Sequence, residues 1–275
     1  MSRSASRSRR TARAVTVALA AAACVATLTG PAGAIVNGRA ATEHYPFMAS
    51  IPMTVPAIGF DDGVCGAALI HPRWVLTAAH CVDTSLVRPD GIVRIASERR
   101  TEGGTVRGIE RTVTHPGYLQ GAAAGANRDD LALVRLDRAA PQTPVPLADR
   151  AGAPGTPTRL LGFGTTADTT DITRAAFAGR LRQLDTRIGA VDECEPGRAG
   201  LTRLCTVSRV PGAMACIGDS GGPQIQRGRG GRWELVGTTS GDGDSDPACS
   251  TGPGLYSNVP AYADWIRATL RAYGD

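Results

Sequence analysis

The 275-residue sequence contains no lysine, so all thirty of its basic residues are arginine. That bias reflects base composition more than mechanism. Nor does any acidic residue precede position 35, although Arg3, Arg7, Arg9, Arg10 and Arg13 all do. Those five arginines account for the whole formal charge of +5, and the rest of the chain is balanced. A positive field strong enough to drive nucleic-acid binding is therefore not expected. Beyond residue 34 there is no run of 18 apolar residues, so an internal membrane-spanning helix is not expected either. The sequence has no C-x-x-C, and the only His beside a Cys is His80, next to Cys81. Neither a structural metal nor a cofactor is expected on that pattern. No internal repeat is visible.

A hydrophobic content of 42% excludes a wholly disordered chain, and 34 Gly with 18 Pro argue for many turns rather than a helical bundle. Residues 1–34 read as a secretory signal peptide. A basic segment leads into an apolar stretch over residues 15–28, too short to span a bilayer, and Ala32-Gly33-Ala34 supplies the small residues a signal peptidase reads. Arg9-Arg10 is a weak twin-arginine signal because Arg13 follows, which leaves the export route open. Cys24 has Ala21 where a lipid-anchor motif has Leu, so it reads as a residue discarded with the leader. A cut after Ala26 would leave a short propeptide over residues 27–34; a cut after Ala34 would leave none. The product is expected to be extracellular, free of the membrane and monomeric. Six cysteines remain, Cys65, Cys81, Cys194, Cys205, Cys216 and Cys249. An even count in an exported chain reads as three disulfides, and spacing alone leaves 15 pairings open.

Short apolar runs at residues 74–77, 131–136, 158–163 and 233–239 alternate with Gly, Pro and Asp clusters. This spacing predicts an all-β barrel or sandwich. Tyr262, Trp265, Ile266 and Leu270 share one face of a C-terminal helix predicted over about 260–272, with Pro260 at its first turn. Residues 165–173 are small and polar and read as a surface loop.

Three segments carry chemistry: Leu76-Thr77-Ala78-Ala79-His80-Cys81, Asp130-Leu131-Ala132-Leu133, and Gly218-Asp219-Ser220-Gly221-Gly222-Pro223. A Ser hydroxyl is a poor nucleophile near neutral pH and needs a base within hydrogen-bond reach. Histidine suits that task, and a carboxylate on its far nitrogen fixes the tautomer. Glycines around Ser220 permit tight turns and free backbone amides to face a developing oxyanion. Each piece alone has a bland reading as a turn, a core histidine or an edge acid; their joint occurrence is specific.

Together these motifs resemble the chymotrypsin/trypsin family of serine proteases, with the look of a secreted bacterial member. The resemblance runs from Ile35 to the terminal helix. It implies two six-stranded antiparallel β-barrels, spanning about residues 35–145 and 146–258, with the active site between them. His80 would act as general base and then acid, Asp130 as its orienter and Ser220 as nucleophile. The amides of Gly218 and Ser220 would form the oxyanion hole. Asp130 is preferred to Asp129 because it directly precedes the apolar strand; Asp129 is then an exposed acid or a loop cap. The resemblance selects the pairing Cys65–Cys81, Cys194–Cys205 and Cys216–Cys249. Ile35-Val36-Asn37-Gly38 resembles the family's new N-terminus, whose amine would pair with Asp219. The specificity pocket would involve Met214, Ser240 and Gly254. Met214 stands where trypsin-like members carry Asp, which implies a primary preference for apolar side chains. The alternatives are a trypsin-like preference supplied by Asp242, Asp244 or Asp246, or a catalytically weak homologue acting as a binding protein. Expected partners are polypeptide substrates and protein inhibitors.

Overall fold

The computed structural model describes Met1, residues 35–121 and residues 126–274. Residues 2–34, with the rest of the leader, both candidate cleavage sites and Cys24, lie outside the described residues. In chain order the strands are β1 (Arg39–Ala40), β2 (Met48–Val55), β3 (Phe60–His71), β4 (Trp74–Thr77), β5 (Arg88–Pro89), β6 (Ile92–Ile95) and β7 (Thr105–Thr114). They continue with β8 (Ala132–Leu136), β9 (Pro157–Gly162), β10 (Arg182–Ile188), β11 (Arg203–Ser208), β12 (Pro223–Arg227), β13 (Trp233–Asp242) and β14 (Gly254–Asn258). Among the described residues one α-helix, α1 (Ala263–Ala272), follows a 3-10 turn at Val259–Tyr262.

Two antiparallel barrels result. In the first, the order β3-β4-β8-β7-β6-β2 closes by pairing β2 back onto β3, with the two-residue β5 as an outlier on β2. In the second, β10-β11-β14-β13-β12-β9 closes by pairing β9 onto β10, with β1 appended to β10. Closure leaves six strands per barrel and no long free edge.

Burial explains why these runs are strands. Trp74, Val75 and Leu76 are fully buried, as are Leu131, Leu133, Val134 and Leu136. Their short, β-branched and leucine-rich runs fit a pleated surface packed on both sides. The second barrel fills around Leu160, Leu184, Ile188, Leu204, Val236 and Tyr256. The helix lays Ile266, with Trp265 and Leu270 beside it, onto the larger core that also holds Trp74 and Leu133. Disulfides join Cys65 to Cys81, Cys194 to Cys205 and Cys216 to Cys249.

Candidate active site

The register of the first barrel places His80 beside Asp130. Thr77 on β4 pairs with Ala132 on β8, so the residues just beyond Thr77 and just before Ala132 emerge at the same barrel end. His80 occupies the 3-10 turn at Ala79–Cys81 that follows β4. Its Nδ1 lies 2.8 Å from Asp130 Oδ2, and its backbone amide donates to Asp130 Oδ1 at 3.0 Å. The carboxylate is almost completely buried, whereas a fifth of the His80 side chain remains exposed.

Asp130 accepts two further bonds at the same oxygen. Ser240 Oγ donates at 2.6 Å and Asn127 Nδ2 at 3.1 Å. Ser257 Oγ donates to the Asp130 carbonyl at 3.0 Å. Burial alone would raise the Asp130 pKa, but His80, Ser240 and the His80 amide more than offset it and hold the carboxyl below its usual range. Burial pushes His80 down, yet the Asp130 charge and hydrogen bond, helped by Asp83, leave it above the usual histidine value. Such a pair keeps its carboxylate ionised and the histidine basic.

Ser220 sits in the loop before β12, against the first barrel. Its carbonyl accepts from the Gly66 amide at 2.7 Å. A methyl group on Gly221 would lie 2.2 Å from Thr77 Oγ1 and 3.0 Å from the Ala78 nitrogen, two residues before His80. Gly221 also has φ +76°, so only glycine lets the loop come this close. Gly218 is similarly constrained, with φ +91°, and a methyl group there would lie 2.5 Å from the Phe177 ring. The amides of Asp219, Gly221 and Gly222 donate to the carbonyls of Cys216, Thr239 and Asp219. Those of Gly218 and Ser220, two residues apart, meet no acceptor among the described residues.

Asp219 points the other way. It is buried, and its oxygens accept from the Gly164 amide at 2.9 Å and the Cys216 amide at 3.1 Å. Burial pushes its carboxyl up to about 7, the two amides pulling it part of the way back. Ile35 is fully buried, Val36 bridges to Met214, and Asn37 Nδ2 donates to the Gly212 carbonyl at 2.5 Å.

Next to Ser220 opens a cavity of about 270 Å³. Thr169, Thr170, Ala215, Thr239, Asp242 and Gly254 are among the residues lining it. Two of the three pocket residues expected from the sequence stand elsewhere. Met214 is buried in the second-barrel core, where its sulfur contacts the Tyr256 hydroxyl at 4.0 Å behind Gly254. Ser240 turns its hydroxyl to Asp130, because successive residues of a strand face opposite sides and its neighbour Thr239 takes the cavity side. Gly254 does line the cavity. Two residues read as loop come into the wall: Thr169 and Thr170. Asp242, one of three loop acids in the sequence, is the acid that reaches the cavity. Its carboxyl pKa is raised by burial and by Asp244, while Arg198 pulls it down.

Asp129 is neither exposed nor a simple cap. It adopts φ +47°, and Tyr262 donates to its Oδ1 at 2.8 Å. Asn127 escaped the sequence reading altogether; its position three residues before Asp130 carried no signal.

The family model for trypsin matches residues 35–266. The chain belongs to the trypsin family. This trypsin-family protein is a serine endopeptidase, a hydrolase of peptide bonds. Human Kallikrein-12 is 35% identical over 225 residues, covering 78% of this chain and 85% of the relative. Human Kallikrein-11 is 30% identical over 215 residues, covering 76% and 72%. The solved structure of neuropsin, a serine protease expressed in the limbic system of mouse brain, superposes with a TM-score of 0.69. It shares 28% identity, over 86% of this chain and all of neuropsin. These relatives are mammalian, so they lend no support to a bacterial character.

Proposed function

We propose that this trypsin-family endopeptidase is a secreted enzyme that works through an acyl-enzyme on Ser220. His80 Nε2 takes the Ser220 proton as Oγ attacks the scissile carbonyl carbon. The oxyanion forms against the amides of Gly218 and Ser220. His80 then passes the proton to the departing amine as the C–N bond breaks, and water reverses the sequence to free the acid. Asp130 orients His80 and stabilises its protonated form. The observation carrying this reading is the 2.8 Å contact between Asp130 Oδ2 and His80 Nδ1, with Ser220 presented in a glycine loop packed against the same barrel end.

Substrates are polypeptides, and protein inhibitors that fill the same cleft are expected partners. For the residue before the scissile bond, the cavity supports a basic side chain over an apolar one. Asp242 offers a carboxylate there, no arginine lines the wall, and Met214, the reason to expect an apolar pocket, stands behind it. Asp242 is open to solvent at the cavity rim, and a guanidinium could form a charge-assisted bond to it there. Release of the Ile35 amine by a cut after Ala34 would provide a cation for Asp219 and firm the oxyanion loop.

A fluorophosphonate probe tests the central claim. Covalent labelling at Ser220, together with cleavage of unstructured peptides, is the expected result. An intact, folded chain that neither labels nor cleaves would instead establish a binding homologue.

A further inference from the structure

Asp130 Oδ2 carries three donors, and one of them belongs to neither motif. Asn127 stands in the loop before β8, half-buried. Its Oδ1 accepts the Gly121 amide at 3.1 Å, and its Nδ2 lies 3.1 Å from Asp130 Oδ2. The two contacts fix the orientation of the amide. An N–H donor faces one end and a carboxylate the other, so the reversed side chain would lose both bonds. The Asn127 backbone carbonyl also accepts from Arg203 Nη1 at 3.3 Å, which ties the loop to β11 of the second barrel. Nδ2 approaches His80 Nδ1 to 3.4 Å. Both nitrogens carry hydrogens aimed at the same oxygen, so this close approach is not a bond; it marks how tightly the donors converge.

We propose that Asn127 is a positioning residue for the His80–Asp130 pair. It holds the carboxylate against the imidazole from the side that Ser240 leaves open, and it keeps water off Oδ2. The inference rests on the endopeptidase reading for its kinetic consequences, but its geometric core does not. A donor on the carboxylate also shares its charge. Removing Asn127 concentrates that charge on His80 and raises the affinity of the imidazole for a proton. The charged and titratable groups around the pair are Asp130 itself, Asp83 on the His80 side and Tyr118, whose hydroxyl feels both acids. None of these replaces an amide donor at Oδ2.

The test uses the full mature chain and two variants. Asn127→Leu keeps the volume and deletes the donor; Asn127→Asp keeps the shape and sets a second carboxylate beside the first. For Asn127→Leu on a small ester substrate, kcat is expected to fall about tenfold with KM within about twofold, the loss expected for one hydrogen bond to a charged group. The acidic limb of the kcat/KM profile moves to higher pH, and further in Asn127→Asp. The far-downfield proton resonance of the His80 Nδ1–H, read by NMR, shifts in both variants. An unchanged limb, kcat and resonance in a folded Asn127→Leu chain overturns the proposal. If that variant does not fold, the limb and resonance of Asn127→Asp decide by the same criteria. Failure of the endopeptidase reading is distinct, because wild-type protein would then not label with fluorophosphonate. The resonance still tests Asn127 in that case.

Discussion

Ser240, on strand β13 of the second barrel, donates its hydroxyl to Oδ2 of Asp130 in the first barrel at 2.6 Å. The carboxylate paired with His80 is therefore held from both barrels. This bond also helps keep Asp130 ionised, since it is one of the contacts that offset its burial. In Ser240→Ala, kcat should fall about tenfold or more, as for loss of a hydrogen bond to a buried charge. Peptide-library profiles of the variant should keep the wild-type primary preference. A change of preference without loss of kcat would return Ser240 to the pocket.

Ser220→Ala and His80→Ala should each cost on the order of 10⁴–10⁶ in kcat while thermal unfolding stays near wild type, because nucleophile and base act as a unit. The acidic limb of the wild-type profile should lie above the ordinary histidine value, since His80 is raised by Asp130. Activity rises as pH passes upward through that limb. The stability contributed by the charged pair runs the other way. It is present below the unfolded value near 6.5 and fades as pH rises through the folded one. Retention of more than a few per cent activity in either clean variant, measured by single-turnover assay, is incompatible with the assignment.

Asp242→Asn should reduce kcat/KM for arginine-containing peptides by about 10- to 100-fold and leave apolar peptides nearly unaffected, the range for one charge-assisted bond. Because the Asp242 carboxyl titrates above the usual carboxylate range, discrimination in favour of arginine should fade early on the acid side. Met214→Asp would not create a basic-residue pocket. It would bury an acid among Ile35, Ala213 and Tyr256 and lower stability. A wild-type enzyme preferring apolar residues at every pH would sink the Asp242 reading.

Asp219 makes processing a matter of stability. With residue 34 still attached, its folded pKa is about 7, above the value of 3.8 that serves as its reference. A raised carboxyl destabilises the fold progressively as pH climbs from about 4 to about 7. A chain beginning at Ile35 would, on the proposed pairing, supply a cation to offset this cost. In a Ser220→Ala background, which prevents autolysis, the Ile35 form should melt higher than one beginning at Thr27 when compared at pH 8. The gap should shrink at pH 5 and collapse in Asp219→Asn. Parallel pH dependence in the two forms would falsify the pairing.

The strands were legible where the chain is simplest. Trp74–Thr77 and the run ending at Leu136 are short, apolar and bounded by turn residues, and they are β4 and β8. Barrel closure was not legible from periodicity, because pairing β2 with β3 and β9 with β10 depends on partners remote from each local pattern; it came with the resemblance, as did the disulfide pairing. His80, Asp130 and Ser220 stood out because their neighbours are as restricted as they are. The pocket did not. Equivalence of sequence position could not tell that Met214 is buried against Tyr256 and Gly254, and a single strand residue such as Ser240 cannot announce which face it takes. Asn127 lies only three residues from Asp130, but an Asn in a loop has no pattern that tells which neighbour its amide will face. Tyr262 was legible as part of the apolar helix face, whereas its hydroxyl's bond to Asp129, remote in sequence, was not.

The close approach at Gly66 and Gly221 has a consequence for how a substrate must present itself. A methyl group on Gly66 would lie 2.5 Å from the Gly222 Cα, so backbone meets backbone with no side chain between. Packing this dense cannot shear or gape without breaking the Gly66–Ser220 bond, and the two barrels are in effect welded at the point of chemistry. A cleft joined this closely is expected to stay narrow when a bulky target arrives. A folded protein is then expected to be cut where it can lend an extended stretch of its own chain, at a rate that follows how often that stretch locally unfolds.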